Sequence, residues 1–308
     1  MITAPLHGVV PPVCTPLTAG CEVDVPSLER LLDRLLDAGV DGLFVLGSTS
    51  ETAFLPDAHR RTVLEAAVAR AAGQVPVLAG AIDMTTLRVL DQVRTAAAAG
   101  CDAVVVTAPF YTRTHPAEID RHFRLVAQRS PVPVFAYDLP VSVHTKLPAE
   151  LLCGWAADGV LAGLKDSSGD DSAMRSVTLA TRDSAPSFSV LTGSETTVDT
   201  ALRMGVHGVV PGLGNVDPHG YVRLYRHCAA GEWDAAAKEQ ERLIRLFDLV
   251  NAGSAARMGR GSSALGAFKA ALHLLGVIDN PVTAPPQIPL DAGEIDRVRT
   301  RLAESGLL

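Results

Sequence analysis

The sequence predicts an α/β protein, a (β/α)8 barrel with a C-terminal helical extension. Three observations carry this reading. Eight short apolar segments recur, helical periodicity fills the gaps between them, and the strand signal stops near residue 225. The segments are "GVVPPVCT" at 8, "GLFVLG" at 42, "VPVLAGA" at 75, "DAVVVTAP" at 102, "VPVFAYD" at 132, "LAGLKDSS" at 161, "SFSVLTGS" at 187 and "GVVPGLGN" at 208. Their starts lie 34, 33, 27, 30, 29, 26 and 21 residues apart. Each is rich in Val, Leu or Ala and short enough to be a strand buried on both faces.

Taken in order, the first strand is the weakest, because Pro11 and Pro12 remove two donors from its ladder. The helix after it reads "VPSLERLLDRLLDAGV". Leu28, Leu31, Leu32, Leu35 and Leu36 form one stripe, and Gly39 stops it. "PDAHRRTVLEAAVARAAG" and "TTLRVLDQVRTAAAAG" repeat the pattern, each ending in Gly. The last repeat is short. Residues 1–225 are therefore expected to form the barrel and residues 226–308 a helical domain. That domain contains three helical stretches, "GEWDAAAKEQERLIRLFDLVNAG", "SSALGAFKAALHLLG" and "AGEIDRVRTRLAESG". The Pro-rich "DNPVTAPPQIPLD" between the last two is expected to be extended.

Bulk properties narrow the function. The 308 residues suffice for one large barrel, 47% are apolar, and the 20% that are charged are scattered, so a large core is expected rather than disorder. A net charge of −7 argues against nucleic acid as a partner. Cys14, Cys21, Cys101, Cys153 and Cys228 show no C-x-x-C spacing, as expected of reduced thiols in the cytoplasm. The start, "MITAPLHGVVPP", lacks a basic region followed by an apolar run, so no secretory signal is expected there. Gly, Pro or charge interrupts every apolar run before 18 residues, so no membrane span is expected.

In such a barrel the C-terminal strand ends face the active site. Here they carry Gly47-Ser48-Thr49-Ser50-Glu51, Pro109-Phe110-Tyr111, Tyr137-Asp138, Lys165-Asp166, Thr192-Gly193-Ser194-Glu195 and Gly212-Leu213-Gly214-Asn215. Lys165 is one of only four lysines against twenty-three arginines, and it ends an apolar run. Burial penalises an ammonium ion, so an amine held there is suited to attack a carbonyl; a lysine that snorkels to solvent is the equal alternative. Tyr137 ends the preceding strand and could shuttle a proton, or simply pack its ring. "GSTSE" offers backbone N–H groups and hydroxyls as a carboxylate cradle, or is an ordinary polar loop.

Other motifs are missing. There is no G-x-x-x-x-G-K-[ST] loop, no G-x-S-x-G elbow and no H-x-H or H-E-x-x-H spacing, so no metal site is expected. His115 and His122 are expected on a helix surface.

"GSTSE", "TAPFY", "YDLP" and "GLKDSSGD", in this order at the ends of strands 2, 4, 5 and 6, resemble the dihydrodipicolinate synthase / N-acetylneuraminate lyase family. The resemblance continues through "GVVPGLGNVDP" and "GAFKAALHLLG". It implies a TIM barrel with a C-terminal helical domain, a homotetramer, and lyase chemistry on pyruvate-like 2-oxo acids through a lysine imine. It implies Lys165 as that lysine, Tyr137 as proton relay, and Ser48 and Thr49 as holders of the 2-oxo acid carboxylate. Tyr111 matches a tyrosine that reaches into a neighbouring subunit's site, and Gly193 a glycine lining the pocket. No metal or dissociable cofactor is implied. The chain departs from the family's Y-N-x-P-S-R-T-G at "YDLPVSVH". Ser142 stands where the synthases' arginine grips the aldehyde's carboxylate, Asp138 at the asparagine and His144 at the final glycine. Arg113, His144 and Lys146 lie near enough in sequence to meet a different substrate.

The expected function is a pyruvate-type aldolase that cleaves or makes a 4-hydroxy-2-oxo acid, with an aldehyde as second partner. 4-Hydroxy-tetrahydrodipicolinate synthase is the alternative within the class. A non-catalytic barrel that binds an oxo acid is the alternative outside it, disfavoured by the Lys165–Tyr137 pair. A third is a phosphate-binding barrel using "GSET" and "PGLGN".

Overall fold

The computed structural model describes residues 5–308. The first four residues of the segment expected to carry no signal lie outside it. Eight strands form among the described residues: β1 (Gly8–Val9), β2 (Leu43–Val45), β3 (Val77–Gly80), β4 (Ala103–Thr107), β5 (Val134–Asp138), β6 (Gly163–Asp166), β7 (Ser189–Thr192) and β8 (Gly208–Val209). All pair in parallel, and β1 lies beside β8. Pro12 bridges Phe44, and Val13 N donates to Phe44 O at 2.8 Å, which brings the first strand's continuation against β2 and closes the barrel. The prolines explain why β1 is so short.

The helices between the strands are α1 (Val25–Asp37), α2 (Asp57–Ala71), α3 (Thr86–Ala99), α4 (Pro116–Arg129), α5 (Pro140–Val143), α6 (Ala149–Ala157), α7 (Asp171–Ser184) and α8 (Val198–Arg203). In α1 the predicted stripe is real: Leu28, Leu31, Leu32 and Leu35 are buried. Asp24 accepts from Ser27 N at its start, and Gly39 beyond its end takes φ 79°, a conformation glycine adopts without strain.

After β8 come a 3-10 turn (Gly212–Asn215), α9 (Pro218–Ala229), α10 (Trp233–Phe247), α11 (Arg260–Leu274) and α12 (Ala292–Glu304). Residues 225 and 226, the expected domain boundary, fall inside α9. The apolar residues sort into two cores. Val10, Phe44, Leu78, Val105, Phe135 and Leu191 fill the barrel's interior. The second core lies between the strands and the helices, and it joins Leu28 and Leu31 of α1 to Leu243 of α10 and Leu272 of α11.

One ion pair ties the C-terminal helices to the barrel. Lys269 of α11 and Glu51, in the turn after β2, meet with 1% and 0% of their side chains exposed. Lys269 Nζ also donates to Val282 O at 2.7 Å. The second oxygen of Glu51 accepts from Ala284 N and Gln287 Nε2, each at 2.6 Å. Both charges are thus paired and hydrogen-bonded, which is what makes their burial tolerable.

One expectation is overturned. His115 is exposed and caps α4, but His122 is buried. It faces inward, sharing a 2.9 Å hydrogen bond with Thr86 Oγ1 and stacking edge-on to Phe123. The i, i+4 spacing to Val126 puts it on the apolar stripe of α4, and a neutral imidazole fits there. Burial pushes its pKa down to about 4, against a small upward pull from the Thr107 backbone.

Two predictions follow from these groups. Removing the Lys269 charge leaves Glu51 buried and alone, so Lys269→Met should cost about 3–5 kcal/mol by urea denaturation, and adding Glu51→Gln should recover part of it. An undiminished midpoint in Lys269→Met would show the pair to be dispensable. For His122, above about pH 6.5 both folded and unfolded chains hold it neutral. Between 6.5 and 4 the unfolded chain takes a proton that the folded chain refuses, so stability falls with pH; below 4 the loss levels off. The loss is on the order of 3 kcal/mol. His122→Gln should flatten that part of the stability–pH curve, and parallel curves would refute the assignment.

Candidate active site

Alternation along β5 and β6 sets the site. Tyr137 and Lys165 are register partners on adjacent strands and share one face, the interior. Asp138 and Asp166, one residue on, take the other face. Below Lys165 sits Gly163, where a Cβ would come within 2.6 Å of the Phe135 ring and of Ser189 O. Lys165 is 5% exposed. Its Nζ lies 4.0 Å from the centroid of the Tyr137 ring and 4.7 Å from that of Phe44. Those two rings meet edge to face, 6.3 Å apart. The amine therefore caps an apolar barrel core and does not snorkel away from it.

The Tyr137 hydroxyl shares hydrogen bonds with Ser48, Lys165 and Ser167. Burial alone would raise its pKa. The charge of Lys165 and those hydrogen bonds outweigh burial and hold the phenol below its ordinary value. A phenol so placed gives and receives protons more readily than a free tyrosine.

The turn after β2 divides its residues between two tasks. Ser50 and Glu51 turn inward. Ser50 Oγ donates to Val13 O at 2.5 Å and accepts from Gly47 N at 3.2 Å, and Glu51 makes the ion pair described above. Ser48 is left exposed and Thr49 half-buried at the mouth. At Gly47 a Cβ would lie 2.6 Å from the Phe44 ring, so only glycine lets the chain pass. Across the mouth, Gly193 N donates to Asp166 O at 2.6 Å. Any side chain at 193 would collide with the Ser167 hydroxyl.

The remaining candidates are spread out. Tyr111 is 92% exposed, with φ 71°, and so makes little contact with its own chain. Ser142 is exposed on α5, and His144, exposed, ends that helix with φ 56°. Arg113 is exposed in the loop before α4. Lys146 is taken: it pairs with Asp138, whose other oxygen accepts from Leu147 N at 3.1 Å. Burial raises the pKa of the neighbouring Asp166, although hydrogen bonds from Ser168 oppose the shift.

Sequence reasoning missed two contributors and the direction taken by a third, named only as a strand-end residue. Phe44 supplies a ring under the amine, Ser167 bonds Tyr137, and Glu195 turns inward. Glu195 Oε1 accepts from Gly212 N at 2.6 Å, and Oε2 accepts from Leu213 N at 3.2 Å and from the Tyr221 hydroxyl at 2.8 Å. The phosphate reading of "GSET" and "PGLGN" meets an obstacle here, because a carboxylate already occupies the amides a phosphate would need. Ser167 was within reach of a sequence reading, since it follows Lys165-Asp166 directly. Nothing in a linear sequence signals that Glu195 folds back.

The chain matches the dihydrodipicolinate synthetase family over residues 5–305. It is 33% identical over 303 residues to an uncharacterised DapA-like lyase of Halobacterium salinarum, covering 98% of this chain and 95% of that one. It is 33% identical over 243 residues to the 4-hydroxy-tetrahydrodipicolinate synthase of Stenotrophomonas maltophilia, covering 79% of this chain and 81% of that enzyme. Among solved structures it is similar to YagE, a prophage protein of the dihydrodipicolinic acid synthase family from E. coli K12 in complex with pyruvate. That likeness has a TM-score of 0.92 at 28% identity and covers 99% of this chain and 100% of YagE.

Proposed function

The chain belongs to the dihydrodipicolinate synthetase family, and on that premise we propose that this lyase uses Lys165 to form an imine with pyruvate or a 4-hydroxy-2-oxo acid. The observation that carries the reading is the Lys165 amine, sunk into the barrel mouth with its Nζ 4.0 Å from the centroid of the Tyr137 ring and 4.7 Å from that of Phe44.

The reaction begins when neutral Lys165 attacks C2 of the oxo acid. The C2 oxygen takes one proton from the amine and one from Tyr137 and leaves as water, and a cationic imine and the Tyr137 phenolate remain. That cation draws in the electron pair of the C3–C4 bond, and the bond breaks to an enamine. Tyr137 takes the proton from the C4 hydroxyl, so the released fragment is an aldehyde. Protonation at C3 and hydrolysis then free pyruvate and Lys165. Ser48 and Thr49 hold the carboxylate and fix C2 against the amine. Run backwards, the same steps join pyruvate to an aldehyde. No metal or cofactor takes part in these steps.

Tyr111 is proposed to complete the site of a second subunit. Its 92% exposure supports a place in a homotetramer contact, and sedimentation of the intact protein tests this. The five free cysteines support a cytoplasmic location, and no helix of the described residues is long and apolar enough to cross a membrane.

Borohydride with pyruvate should inactivate the protein and leave a reduced pyruvyl group on Lys165. Lys165→Ala should take no label and lose turnover while keeping its fold. Tyr137→Phe should lower kcat by about 10²–10⁴. A label elsewhere, or none, would refute the imine.

The aldehyde partner is proposed to be neutral and hydroxylated. Ser142 is short and uncharged and cannot grip a carboxylate. Losing that charge-assisted pair costs roughly 1.5–3 kcal/mol, about ten- to a hundred-and-fifty-fold in binding. The names of the curated relatives favour the synthase as second reading. The comparison that decides is kcat/KM for pyruvate with aspartate semialdehyde against a panel of 4-hydroxy-2-oxo acids. Cleavage of at least one hydroxylated acid should exceed synthesis, and the reverse order would restore the synthase.

A further inference from the structure

A carboxylate is gripped by donors held in fixed places. Ser48 and Thr49, proposed above to supply them, lie on a turn outside any helix or strand. Within it, Ser50 N donates to Gly47 O at 3.1 Å, Glu51 N to Ser48 O at 3.0 Å and Thr52 N to Gly47 O at 3.3 Å. These bonds close the turn without fixing it to the rest of the barrel. Glu51 also takes φ 62°, a left-handed backbone that a residue with a side chain resists. The turn therefore does not hold this shape by local preference.

Tethers from outside hold it. Ser50 Oγ donates to Val13 O at 2.5 Å, Thr15 Oγ1 to Ser50 O at 2.9 Å, and Arg60 Nη2 to Thr52 O at 2.8 Å. Those partners lie close by in the chain. Glu51 is tied from much further away. Among the described residues, the partners of its carboxylate all follow α10: Lys269 of α11, Ala284 N and Gln287 Nε2. Lys269 is itself held, because its Nζ donates to Val282 O at 2.7 Å. With Ser50 and Glu51 turned inward, Ser48 and Thr49 are the side chains of 48–51 left at the mouth. A buried ion pair adds little net stability over well-packed apolar side chains, so stability is a weak reason for these two charges. What the pair does impose is place, since each buried charge is satisfied only against the other.

Resting on the reading that Ser48 and Thr49 hold the 2-oxo acid carboxylate, we propose that Glu51 and Lys269 are positioning residues for that carboxylate. Neither touches the substrate. Their ion pair fixes the turn from the C-terminal helices, so that the donors of Ser48 and Thr49 stand where a carboxylate meets them. The helical region beyond the barrel is thereby part of the frame of the substrate pocket. Lys165 and Tyr137 do not share this dependence, because strand register places them. Loosening the turn should weaken the grip on the carboxylate and leave the chemistry of the amine in place. The loss is selective for charge: a carboxylate receives hydrogen bonds roughly twice as strong as those of a neutral acceptor.

The test compares pyruvate with pyruvamide, which carries a neutral amide in place of the carboxylate. Each is titrated against the intact protein, and the imine trapped by cyanoborohydride is quantified on Lys165 by mass spectrometry. Wild-type protein should reach half-saturation at a lower concentration of pyruvate than of pyruvamide. Lys269→Met should raise the half-saturating pyruvate concentration about tenfold, as loss of one charge-assisted hydrogen bond implies, and that of pyruvamide by less than about threefold. The limiting rate of labelling should stay near that of wild type. Adding Glu51→Gln removes the stranded charge and keeps an acceptor for Ala284 N, so part of the preference for pyruvate should return. A merely structural pair would weaken labelling by both compounds alike and leave their ratio unmoved. If Lys269→Met does not fold, by circular dichroism, Gln287→Met decides. It removes one donor to Glu51, leaves both charges in place, and should lower the preference for pyruvate about threefold. An unchanged preference in the folded variants overturns the role of the pair and leaves the lyase reading standing. A wild-type protein that takes no label from pyruvate overturns both.

Discussion

Strand alternation in a closed parallel barrel is the constraint on which the site depends. Every second residue must point inward, and the interior admits few polar groups. Leu191, Phe135, Val105 and Val10 fill it from below. Only at the mouth can a polar side chain point inward and still reach a reactant. Lys165 and Tyr137 stand there because they are register partners on neighbouring strands, so their adjacency needs no loop to arrange it. The apolar floor keeps the amine dry, and the rings of Phe44 and Tyr137 give it a polarisable seat.

Much of this was legible from the residues in order. Eight apolar runs separated by helical stripes define the barrel, and all eight form. Lys165, Tyr137, Ser48 and Gly193 do gather at one mouth, because strand ends in this topology have nowhere else to go. What periodicity could not reveal is the inward turn of polar side chains. His122 reads as a surface residue by type, yet it lies on the apolar face of α4 and is satisfied by Thr86. Glu195 reads as a strand-end residue facing the mouth, yet two amides and a tyrosine distant in sequence draw its carboxylate back. The expected boundary at 225/226 fell inside α9 because the last strand–helix unit runs on past the last strand signal. A charge's destination depends on partners that folding supplies, and no window of sequence contains them.

The loop after β5 illustrates how a departure from a family pattern is absorbed. An aspartate replaces the motif's asparagine at 138, and Lys146 neutralises it from eight residues away. A histidine stands at 144, where the motif has glycine, and its backbone is left-handed, at φ 56°. A non-glycine residue held there costs on the order of 1–2 kcal/mol. Lys146 is therefore not available to a substrate, whereas Ser142 and His144 are exposed.

Glu51 takes its partners from residues 269, 284 and 287, which are made last. It belongs to the turn that carries Ser48 and Thr49, made among the first fifty residues. While the chain is still emerging from a ribosome, that turn holds a carboxylate whose cation does not yet exist. A product cut short of residue 269 would carry Lys165, Tyr137 and that turn, but Glu51 would lack the partners that anchor the turn.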